Sequence, residues 1–247
     1  MTGTINEIFS SVQGEGILVG CRQVFIRLSG CNLRCAYCDT PAKETGYCLV
    51  EQHPGERDFV RLPNPMEAVS VAATIADTFD LSGHHSVSFT GGEPLLHKEF
   101  IRELAPLLDG KTRQGLYLET NGTLPDELEE VVHLFDIIGM DIKLPSITGL
   151  PTFWEKHRRF LEIAARRQVF VKVVVGEGTT YIEINQVAKL INECSKEILL
   201  IIQPVTPNGI IKDTISPAMA LKLQSQAMMY LSNVLIIPQT HKTMNQL

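Results

Sequence analysis

The stretch Ile198-Leu199-Leu200-Ile201-Ile202-Gln203-Pro204 decides the fold class of this chain. Its first five residues are all large and apolar, so a strand formed by them has to be covered on both faces. Strands of that kind are typical of parallel sheets that carry helices on either side. The polar Gln203 and the strand-ending Pro204 follow directly. The stretch therefore predicts an α/β protein in which a parallel strand delivers a polar side chain to one edge of the sheet.

Similar apolar segments alternate with amphipathic segments over most of the chain. Strands are predicted at residues 24–28, 85–89, 115–119, 136–142, 169–175, 198–203 and 234–237. Helices are predicted at residues 64–79, 97–108, 125–134, 152–167, 181–194 and 217–231. The first helix is expected to begin with Asn64 as its cap and Pro65 at its first position, with Glu67 completing a capping box. Repeated strand–helix units fit a complete or partial barrel or an open doubly wound sheet. The polar segment 43–63 interrupts the series and is predicted to be an inserted hairpin or loop.

The charge balance argues against a nucleic-acid partner. The 247 residues include 28 acidic and 22 basic side chains, a net charge of −6, whereas a nucleic-acid binder needs clustered Lys and Arg to contact phosphates. Residues 1–7 lack both the basic and the apolar segment of a secretion signal. The apolar run at residues 198–202 is far shorter than a transmembrane helix requires. The sequence therefore predicts a cytoplasmic protein without membrane contact, in which the six cysteines stay reduced.

Polar residues follow nearly every predicted strand. Because the carboxyl ends of parallel strands meet at one edge of a sheet, the loops after them form one site. The loops concerned are residues 29–38, 90–94, 119–122, 141–143, 203–204 and 238–242. Six such loops at one edge predict a single active site, in which Glu119 and Asn121 are weaker candidates.

Three of the six cysteines, Cys31, Cys35 and Cys38, have the spacing Cys-x3-Cys-x2-Cys. Thiolates are ligands of both iron–sulfur clusters and zinc, and a short loop that carries three of them can hold one metal centre. Three ligands leave one iron of a four-iron cluster open to bind a substrate or cofactor. The alternative is a structural zinc site, which takes four ligands and would be completed here by Asp39 or Cys48.

Together with Thr90-Gly91-Gly92-Glu93-Pro94 after the second predicted strand, the cysteine motif resembles the radical S-adenosylmethionine (SAM) superfamily. In that superfamily the open iron of a [4Fe-4S] cluster chelates SAM, and one-electron reduction yields a 5′-deoxyadenosyl radical. The resemblance implies a partial (β/α) barrel of the TIM type with parallel strands. It also implies one radical SAM core domain over residues 1–247.

Three further stretches narrow the resemblance to one family. They are SVQGEG at residues 11–16, RLSGCNL at 27–33 continued by YCDT at 37–40, and QTHK at 239–242. They resemble the 7-carboxy-7-deazaguanine synthases of queuosine and 7-deazapurine biosynthesis. The implied reaction is a lyase reaction that converts 6-carboxy-5,6,7,8-tetrahydropterin to 7-carboxy-7-deazaguanine by radical ring contraction with loss of ammonia. The implied partners are SAM, magnesium, a second copy of the chain in a homodimer, and a one-electron donor such as flavodoxin or ferredoxin.

The same resemblance assigns roles to individual residues. The expected substrate-binding residues are Gln13, Gly14, Glu15, Arg27 and Thr90. The expected cofactor-binding residues are Tyr37, Cys38, Asp39, Gly92, Glu93, Asp141, Lys143 and Gln203. The expected metal ligands are Cys31, Cys35 and Cys38 for the cluster and Thr40 for magnesium. No catalytic residue is expected beyond the cluster and the SAM-derived radical.

Several of these residues also have a purely structural interpretation. The guanidinium of Arg27 matches a carboxylate bidentately, and the residue alternates with apolar residues late in the strand at 24–28, near the rim, which favours the site over an ordinary surface position. Thr40 offers magnesium a hard oxygen, or it caps a turn. Asp141 and Lys143 lie two apart at a strand end and either bind SAM or form a salt bridge at the rim. Lys172 interrupts an apolar strand, so it either reaches the site or marks an edge strand.

Two other functions are open from the residues alone. A radical SAM activase that abstracts hydrogen from a partner protein often has extra cysteines in an inserted module, where this chain has only Cys48. A non-catalytic, zinc-stabilised binding protein would use the same thiols for zinc. The remaining candidates Cys21, Cys194 and His157 are predicted to pack in the interior.

Overall fold

A computed structural model describes residues 1–38, 40, 45–207, 211–244 and 246, and strands and helices alternate along most of them. The strands are β1 (Thr2–Gly3), β2 (Ile5–Val12), β3 (Arg22–Leu28), β4 (Tyr47–Glu51), β5 (Phe59–Pro63), β6 (Met66–Glu67), β7 (Ser86–Gly91), β8 (Leu116–Thr120), β9 (Ile137–Asp141), β10 (Gln168–Val175), β11 (Leu200–Pro204) and β12 (Val234–Ile236). The helices are α1 (Ala68–Thr78), α2 (Lys98–Leu108), α3 (Pro125–Val131), α4 (Pro145–Thr148), α5 (Trp154–Ala164), α6 (Tyr181–Cys194), α7 (Pro217–Ala227) and α8 (Thr240–Thr243).

Ten of the twelve strands in the described part of the chain form one sheet, in the order β12-β11-β10-β9-β8-β7-β3-β2-β4-β5. Strands β3 and β7 to β12 are parallel to one another, and a helix follows most of them. This arrangement confirms the predicted α/β class with the parallel sheet of a partial TIM-like barrel. Strand β2 is antiparallel to β3 and adds the hairpin β4–β5 at one edge.

Strand β2 has no counterpart among the predicted strands. Polar residues interrupt its apolar pattern, yet Asn6, Ser10 and Ser11 are all buried. Two of them have side-chain partners inside the protein: the Ser10 hydroxyl lies 2.8 Å from His84 Nε2, and the Ser11 hydroxyl donates to Gln246. A strand whose inward side chains are hydrogen-bonded rather than apolar lacks the pattern by which strands are predicted.

The predicted start of the first helix is wrong. Helix α1 begins at Ala68, with Glu67 at its cap position and no side-chain cap hydrogen bond. The Asn64 side chain is used elsewhere: its amide oxygen accepts from the Ile5 backbone N–H at 3.2 Å, and its amide nitrogen donates to the Ile5 carbonyl at 2.7 Å. Asn64 therefore holds the start of β2 instead of capping the helix.

The predicted insert is a hairpin in its described part. Strands β4 and β5 pair antiparallel, and β4 joins the main sheet beside β2. Cys48 is fully buried in β4. Residues 43 and 44 of the predicted insert lie outside the described residues.

The two faces of the sheet carry two apolar clusters. The larger one packs the sheet against the helices and has members from Ile5 to Val234. The smaller one lies on the opposite face and consists of Leu18, Tyr117, Ile137, Phe170 and Ile201. The chain thus closes the inner side of the sheet with a few large side chains and leaves space above them. Among the described helices, none is both long and apolar enough to cross a lipid bilayer.

Candidate active site

A cavity of about 490 Å³ opens at the carboxyl ends of the parallel strands. Its walls follow from the two-residue repeat of a strand. In β10, Phe170, Lys172 and Val174 line the cavity, whereas Val171 and Val173 pack into the larger core. The other strand side chains that line it are Glu7, Phe9, Val12, Phe25, Arg27, Thr90, Tyr117, Glu119, Thr120, Asp141 and Gln203.

Cys31, Cys35 and Cys38 all line this cavity, as the sequence predicts. Burial raises the pKa of the Cys31 thiol and raises that of Cys35 to about 11, so both thiols stay protonated at neutral pH unless a metal binds them. No other cysteine of the described chain lines the cavity. Three thiols on one short loop, at the wall of a ligand-sized space, fit a four-iron cluster with one open iron.

Hydrogen bonds hold the cysteine loop on the end of the neighbouring strands. The Asn32 side chain donates to the Thr123 hydroxyl and accepts from the Asn121 amide, each at 2.8 Å. On the other side of the loop, the Ala36 backbone N–H donates to the Thr148 carbonyl at 3.0 Å. The three thiols therefore belong to a loop tied at both sides to the sheet and to α4.

Gly91 and Gly92 bring the end of β7 into direct backbone contact with the cysteine loop. A Cβ atom on Gly92 would lie 1.9 Å from the Gly30 carbonyl oxygen and 3.0 Å from the Cys31 Cβ. Gly91 has φ +129°, and a Cβ atom there would lie 2.1 Å from the Leu28 carbonyl oxygen. Only glycine fits at either position, and both glycine backbones line the cavity.

Glu93 does not line the cavity. Its side chain is fully buried and accepts hydrogen bonds from the Leu95 backbone N–H at 3.1 Å, the Thr120 hydroxyl at 2.8 Å and the Asn121 backbone N–H at 2.8 Å. Burial raises the pKa of Glu93 to about 7. The Glu93 carboxyl, predicted to bind cofactor, instead links the end of β7 to the end of β8. Any contact between Glu93 and a ligand would therefore have to come from its backbone atoms.

A buried ion pair lies between the cysteine loop and β9. The Lys143 ammonium is 2.8 Å from Asp141 Oδ2 and 2.9 Å from the Tyr37 hydroxyl, and all three residues line the cavity. Burial opposes the charge of Lys143, but Asp141 outweighs it, so the pKa of Lys143 is well above its usual value. Asp141 Oδ1 and Gln203 Oε1 are buried and have no hydrogen-bond partner among the described residues. Two unused acceptors at the cavity wall suit a ligand that carries several donors.

The Gln13 side chain is held by the protein itself. Its amide nitrogen donates to Glu119 at 2.5 Å and to Gln23 at 3.0 Å, and its oxygen accepts from the Glu15 backbone N–H at 2.9 Å. The Thr90 hydroxyl donates to the other Glu119 oxygen at 3.0 Å. Both N–H donors of the Gln13 amide are therefore occupied. Gln13 and Thr90, the predicted substrate-binding residues, both orient Glu119, which the sequence gives only as a weaker candidate.

Burial raises the pKa of Glu119. Glu15 behaves in the opposite way: burial opposes its ionisation, but the Lys172 ammonium outweighs that effect and lowers the pKa of Glu15 to about 2. The second Glu15 oxygen accepts from the Gln239 amide at 2.6 Å. The cavity thus contains two buried carboxyl groups whose pKa values are shifted in opposite directions.

The C-terminal segment forms one wall of the cavity by docking on Gly14. The Thr240 backbone N–H donates to the Gly14 carbonyl at 2.9 Å. A Cβ atom on Gly14 would lie 2.1 Å from His241 Nδ1, so the ring packs directly on the glycine backbone. His241 and Lys242 both line the cavity. The stretch 239–242, singled out in the sequence, therefore meets the stretch 11–16 at this wall.

Arg27 lines the cavity, which excludes the surface interpretation. Its Nε is 2.8 Å from Glu7 Oε2, and its guanidinium carbon lies 5.3 Å from the centre of the Phe9 ring. Phe9 in turn stacks on Phe25 at 5.0 Å. The guanidinium is thus braced by a carboxylate and an aromatic ring at the wall of the cavity.

Thr40 lines the cavity beside the cysteine loop, and its backbone carbonyl accepts from the Cys38 thiol at 3.7 Å. Asp39, an expected cofactor contact, lies outside the described residues.

Lys172 is a site residue that the sequence left undecided. Strand β10 lies between β9 and β11, which excludes the edge-strand interpretation. Its register places Lys172 directly beside Asp141. In the sequence, Lys172 is a single charge in an otherwise apolar strand. That pattern fits a residue that reaches the site and equally a residue on an edge strand.

His157 is a packing residue, as predicted. It is fully buried on α5, and its Nε2 lies 3.2 Å from the Asn121 carbonyl. That contact assigns the proton to Nε2. Nδ1 is buried without a partner among the described residues. Burial lowers the pKa of His157 to about 4, so the ring stays neutral in the folded protein.

This histidine predicts a specific pH dependence of stability. Below its ordinary pKa of 6.5 the unfolded chain gains a proton that the folded protein does not take up until about pH 4, so stability is complete above pH 6.5 and falls as pH decreases. Between pH 7 and pH 5 we expect His157 to account for a loss of about 2 kcal/mol. The His157→Gln variant keeps an amide that donates to the Asn121 carbonyl. In urea unfolding, its free energy of unfolding is expected to fall between pH 7 and pH 5 by about 2 kcal/mol less than that of the wild type. The exposed His133→Gln serves as the control, and an equal loss in wild type and His157→Gln would contradict the assignment.

Known proteins resemble this chain over nearly its whole length. The family model described as the radical SAM superfamily matches residues 25–191. The chain is 49% identical to the 7-carboxy-7-deazaguanine synthase of Geobacter sulfurreducens, over 98% of this chain and 97% of that protein. It is 34% identical to the synthase of the same name from Methanothermobacter thermautotrophicus, over 99% and 98% of the two chains. The crystal structure of QueE from Escherichia coli has a similar fold, with a TM-score of 0.57 and 20% identity over 97% and 94% of the two chains.

Proposed function

Because this chain belongs to the 7-carboxy-7-deazaguanine synthases of the radical SAM superfamily, we propose that its cavity converts 6-carboxy-5,6,7,8-tetrahydropterin to 7-carboxy-7-deazaguanine. One observation carries the proposal: the three cluster cysteines and the groups suited to a carboxylated pterin line the same cavity. Neither an activase acting on a protein nor a zinc-stabilised binding protein is favoured by any contact among the described residues.

The chain's own residues provide a cradle for the cofactors. Cys31, Cys35 and Cys38 would hold a [4Fe-4S] cluster, and the backbone of Gly92 lies against their loop, where the amino acid part of SAM would meet the open iron. When bound, these cofactors would supply the 5′-deoxyadenosyl radical needed for hydrogen abstraction from the pterin.

The rest of the proposed SAM contacts lie on the β9 side of the cavity. Tyr37 and Lys143 form one polar wall there, and Asp141 and Gln203, which line the same cavity, are the proposed acceptors for the ribose and ammonium donors.

The proposed substrate groups lie on the opposite wall. The Arg27 guanidinium offers bidentate hydrogen bonds to the substrate carboxylate, for which it is held by Glu7. Glu15 and Glu119 offer acceptor oxygens to the N–H groups of the pyrimidine edge, and the Gly14 backbone lies between them and the C-terminal segment. A bicyclic ring placed between these groups would be shielded from water by the wall of the cavity.

The shape of the proposed substrate cavity also depends on a glycine, Gly139, in β9. A Cβ atom on Gly139 would lie 2.4 Å from the Tyr117 hydroxyl and 2.9 Å from Phe170. Tyr117 and Phe170 stack at 6.2 Å and close the inner side of the sheet below the cavity. Glycine at this position lets the two rings approach β9, which leaves a flat aromatic base under the proposed pterin site.

The decisive experiment is an anaerobic assay of the cluster-reconstituted protein with reductant, SAM and 6-carboxytetrahydropterin. We expect 7-carboxy-7-deazaguanine and ammonia in equal amounts, with SAM regenerated. Reactions without SAM and without reductant are the controls. A protein with a full cluster that binds SAM but forms no 7-carboxy-7-deazaguanine would exclude the proposed reaction.

Magnesium is part of the same proposal, with Thr40 as a ligand. A Thr hydroxyl is a hard oxygen donor, and magnesium completes its shell with water and substrate oxygens. Thr40→Val removes only that oxygen, so we expect the magnesium concentration for half-maximal product formation to rise about tenfold, the equivalent of one weakened ligand bond. Thr40→Ser keeps the oxygen and is expected to behave as wild type. Equal magnesium dependence in wild type and Thr40→Val would remove this residue from the metal site.

The same family membership leads us to propose a homodimer and a one-electron donor such as flavodoxin or ferredoxin. We also propose that residues 1–247 form one radical SAM core domain. Support comes from the larger apolar cluster, which runs without division from Ile5 to Val234.

A further inference from the structure

Lys172 touches both sides of the cavity. Its ammonium forms an ion pair with Glu15 Oε2 and lies 3.4 Å from Asp141 Oδ2. The side chains of all three residues are at most 19% exposed. One cation therefore contacts two carboxylates in an environment where each buried charge needs a partner.

The two carboxylates belong to different parts of the site. Glu15 precedes the turn Gly16–Leu18 and is tied to the C-terminal segment through Gln239. Asp141 ends β9 and is tied through Lys143 to the Tyr37 hydroxyl of the cysteine loop. A continuous line of polar contacts thus crosses the cavity, and Lys172 is its middle member.

We propose that Lys172 is a positioning residue that couples the binding of the pterin to the binding of SAM. This inference rests on the proposed function, which assigns Glu15 to the pterin and Asp141 to SAM. When N–H donors of the pterin satisfy Glu15, the Lys172 ammonium shifts its interaction toward Asp141. The Asp141 carboxylate, which lines the cavity, is then held firmly in place for SAM. Each ligand therefore strengthens the other, and linkage requires the effect to be equal in both directions.

The test measures binding without turnover. SAM affinity is determined by equilibrium dialysis on the cluster-reconstituted wild-type protein under anaerobic conditions, without reductant, in the absence and presence of saturating 6-carboxytetrahydropterin. We expect the pterin to tighten SAM binding by about 5-fold or more in wild type, the lower end of typical coupling between sites. In Lys172→Met we expect the ratio of SAM affinity with pterin to that without pterin to fall to near one, because the neutral side chain forms no ion pair with either carboxylate.

A control variant separates coupling from a general effect of charge. Lys143→Met removes a cation that contacts Asp141 but has no ion pair with Glu15, so we expect weaker SAM binding with the wild-type ratio retained. If Lys172→Met does not fold, Lys172→Gln takes its place, since its neutral amide carries no positive charge for the two carboxylates to share. The ratio is again expected to fall to near one.

Three results would overturn the inference, and they separate the coupling role from the proposed reaction. An unchanged ratio in the Lys172 variants, or a ratio of one in wild type, would remove the coupling role while leaving the proposed reaction intact. Failure of the wild-type protein to bind the pterin at all would overturn the proposed function and the coupling with it.

Discussion

Replacement of Cys35 by serine is expected to abolish product formation and to reduce bound iron from about four atoms per chain to near zero. Cys35 lies between the other two proposed cluster ligands on one loop, and burial raises the pKa of its thiol to about 11. A serine hydroxyl is far harder to deprotonate and is a poor ligand for an iron–sulfur cluster. The cluster and the open iron that binds SAM should therefore be lost together. Iron and sulfide analysis, visible absorption and the anaerobic product assay measure the three consequences.

Cys194→Ser is the matched control for that variant. Cys194 is at the end of α6 and packs against the larger core, away from the cavity. The same atom-for-atom change there is expected to leave the iron content and the product unchanged. Full iron content and activity in Cys35→Ser would show that the cysteine loop is not the cluster site.

Gly92→Ala is expected to lower product formation by on the order of 100-fold, the loss that a displacement of about 1 Å can cause in an active site. The added methyl group would lie 1.9 Å from the Gly30 carbonyl oxygen, so either the cysteine loop or the end of β7 has to move. Both segments carry proposed cofactor contacts. We expect the variant to fold and to retain part of its iron, but to bind SAM much more weakly in dialysis.

Gly83→Ala provides the control, since nothing lies within 4 Å of a Cβ atom at that position. Its product formation is expected to match wild type. If Gly92→Ala also kept wild-type SAM affinity and turnover, the backbone contact between β7 and the cysteine loop would have no role in cofactor binding.

The parallel strands were predictable because packing and chemistry follow the same two-residue repeat. The continuous apolar run at residues 198–202 became most of β11, and the polar Gln203 that follows it lines the cavity. The cysteine spacing likewise predicted that three thiols lie together at the site, since local sequence alone brings them onto one loop, and all three line the cavity. Arg27 was predicted to lie near the rim because it alternates with apolar residues, and that alternation is what directs it into the cavity.

The remaining features depend on contacts between distant residues. Asn64 has the sequence pattern of a helix cap, but its side chain forms hydrogen bonds with the backbone of Ile5 instead. No local sequence pattern indicates this contact between distant residues. Glu93 is part of a recognised motif, yet its carboxyl is directed by donors from the end of β8. Lys172 gave an ambiguous signal because its meaning depends on which strands lie beside β10, which is a property of the sheet order.

The alternation within β10 also has a consequence for how this protein tolerates mutation. Val171 and Val173 pack against the helices, so exchanges there should be limited by volume and should affect mainly stability. Lys172 lines the cavity and belongs to neither apolar cluster, so exchanges there should affect mainly what is bound. Phe170 and Val174 line the cavity and are also core residues, so exchanges there should affect both binding and stability. A mutational scan along this strand should therefore show effects on binding at every second residue. Such a strand can acquire contacts for a new ligand at those positions while the residues between them keep the sheet packed against the helices.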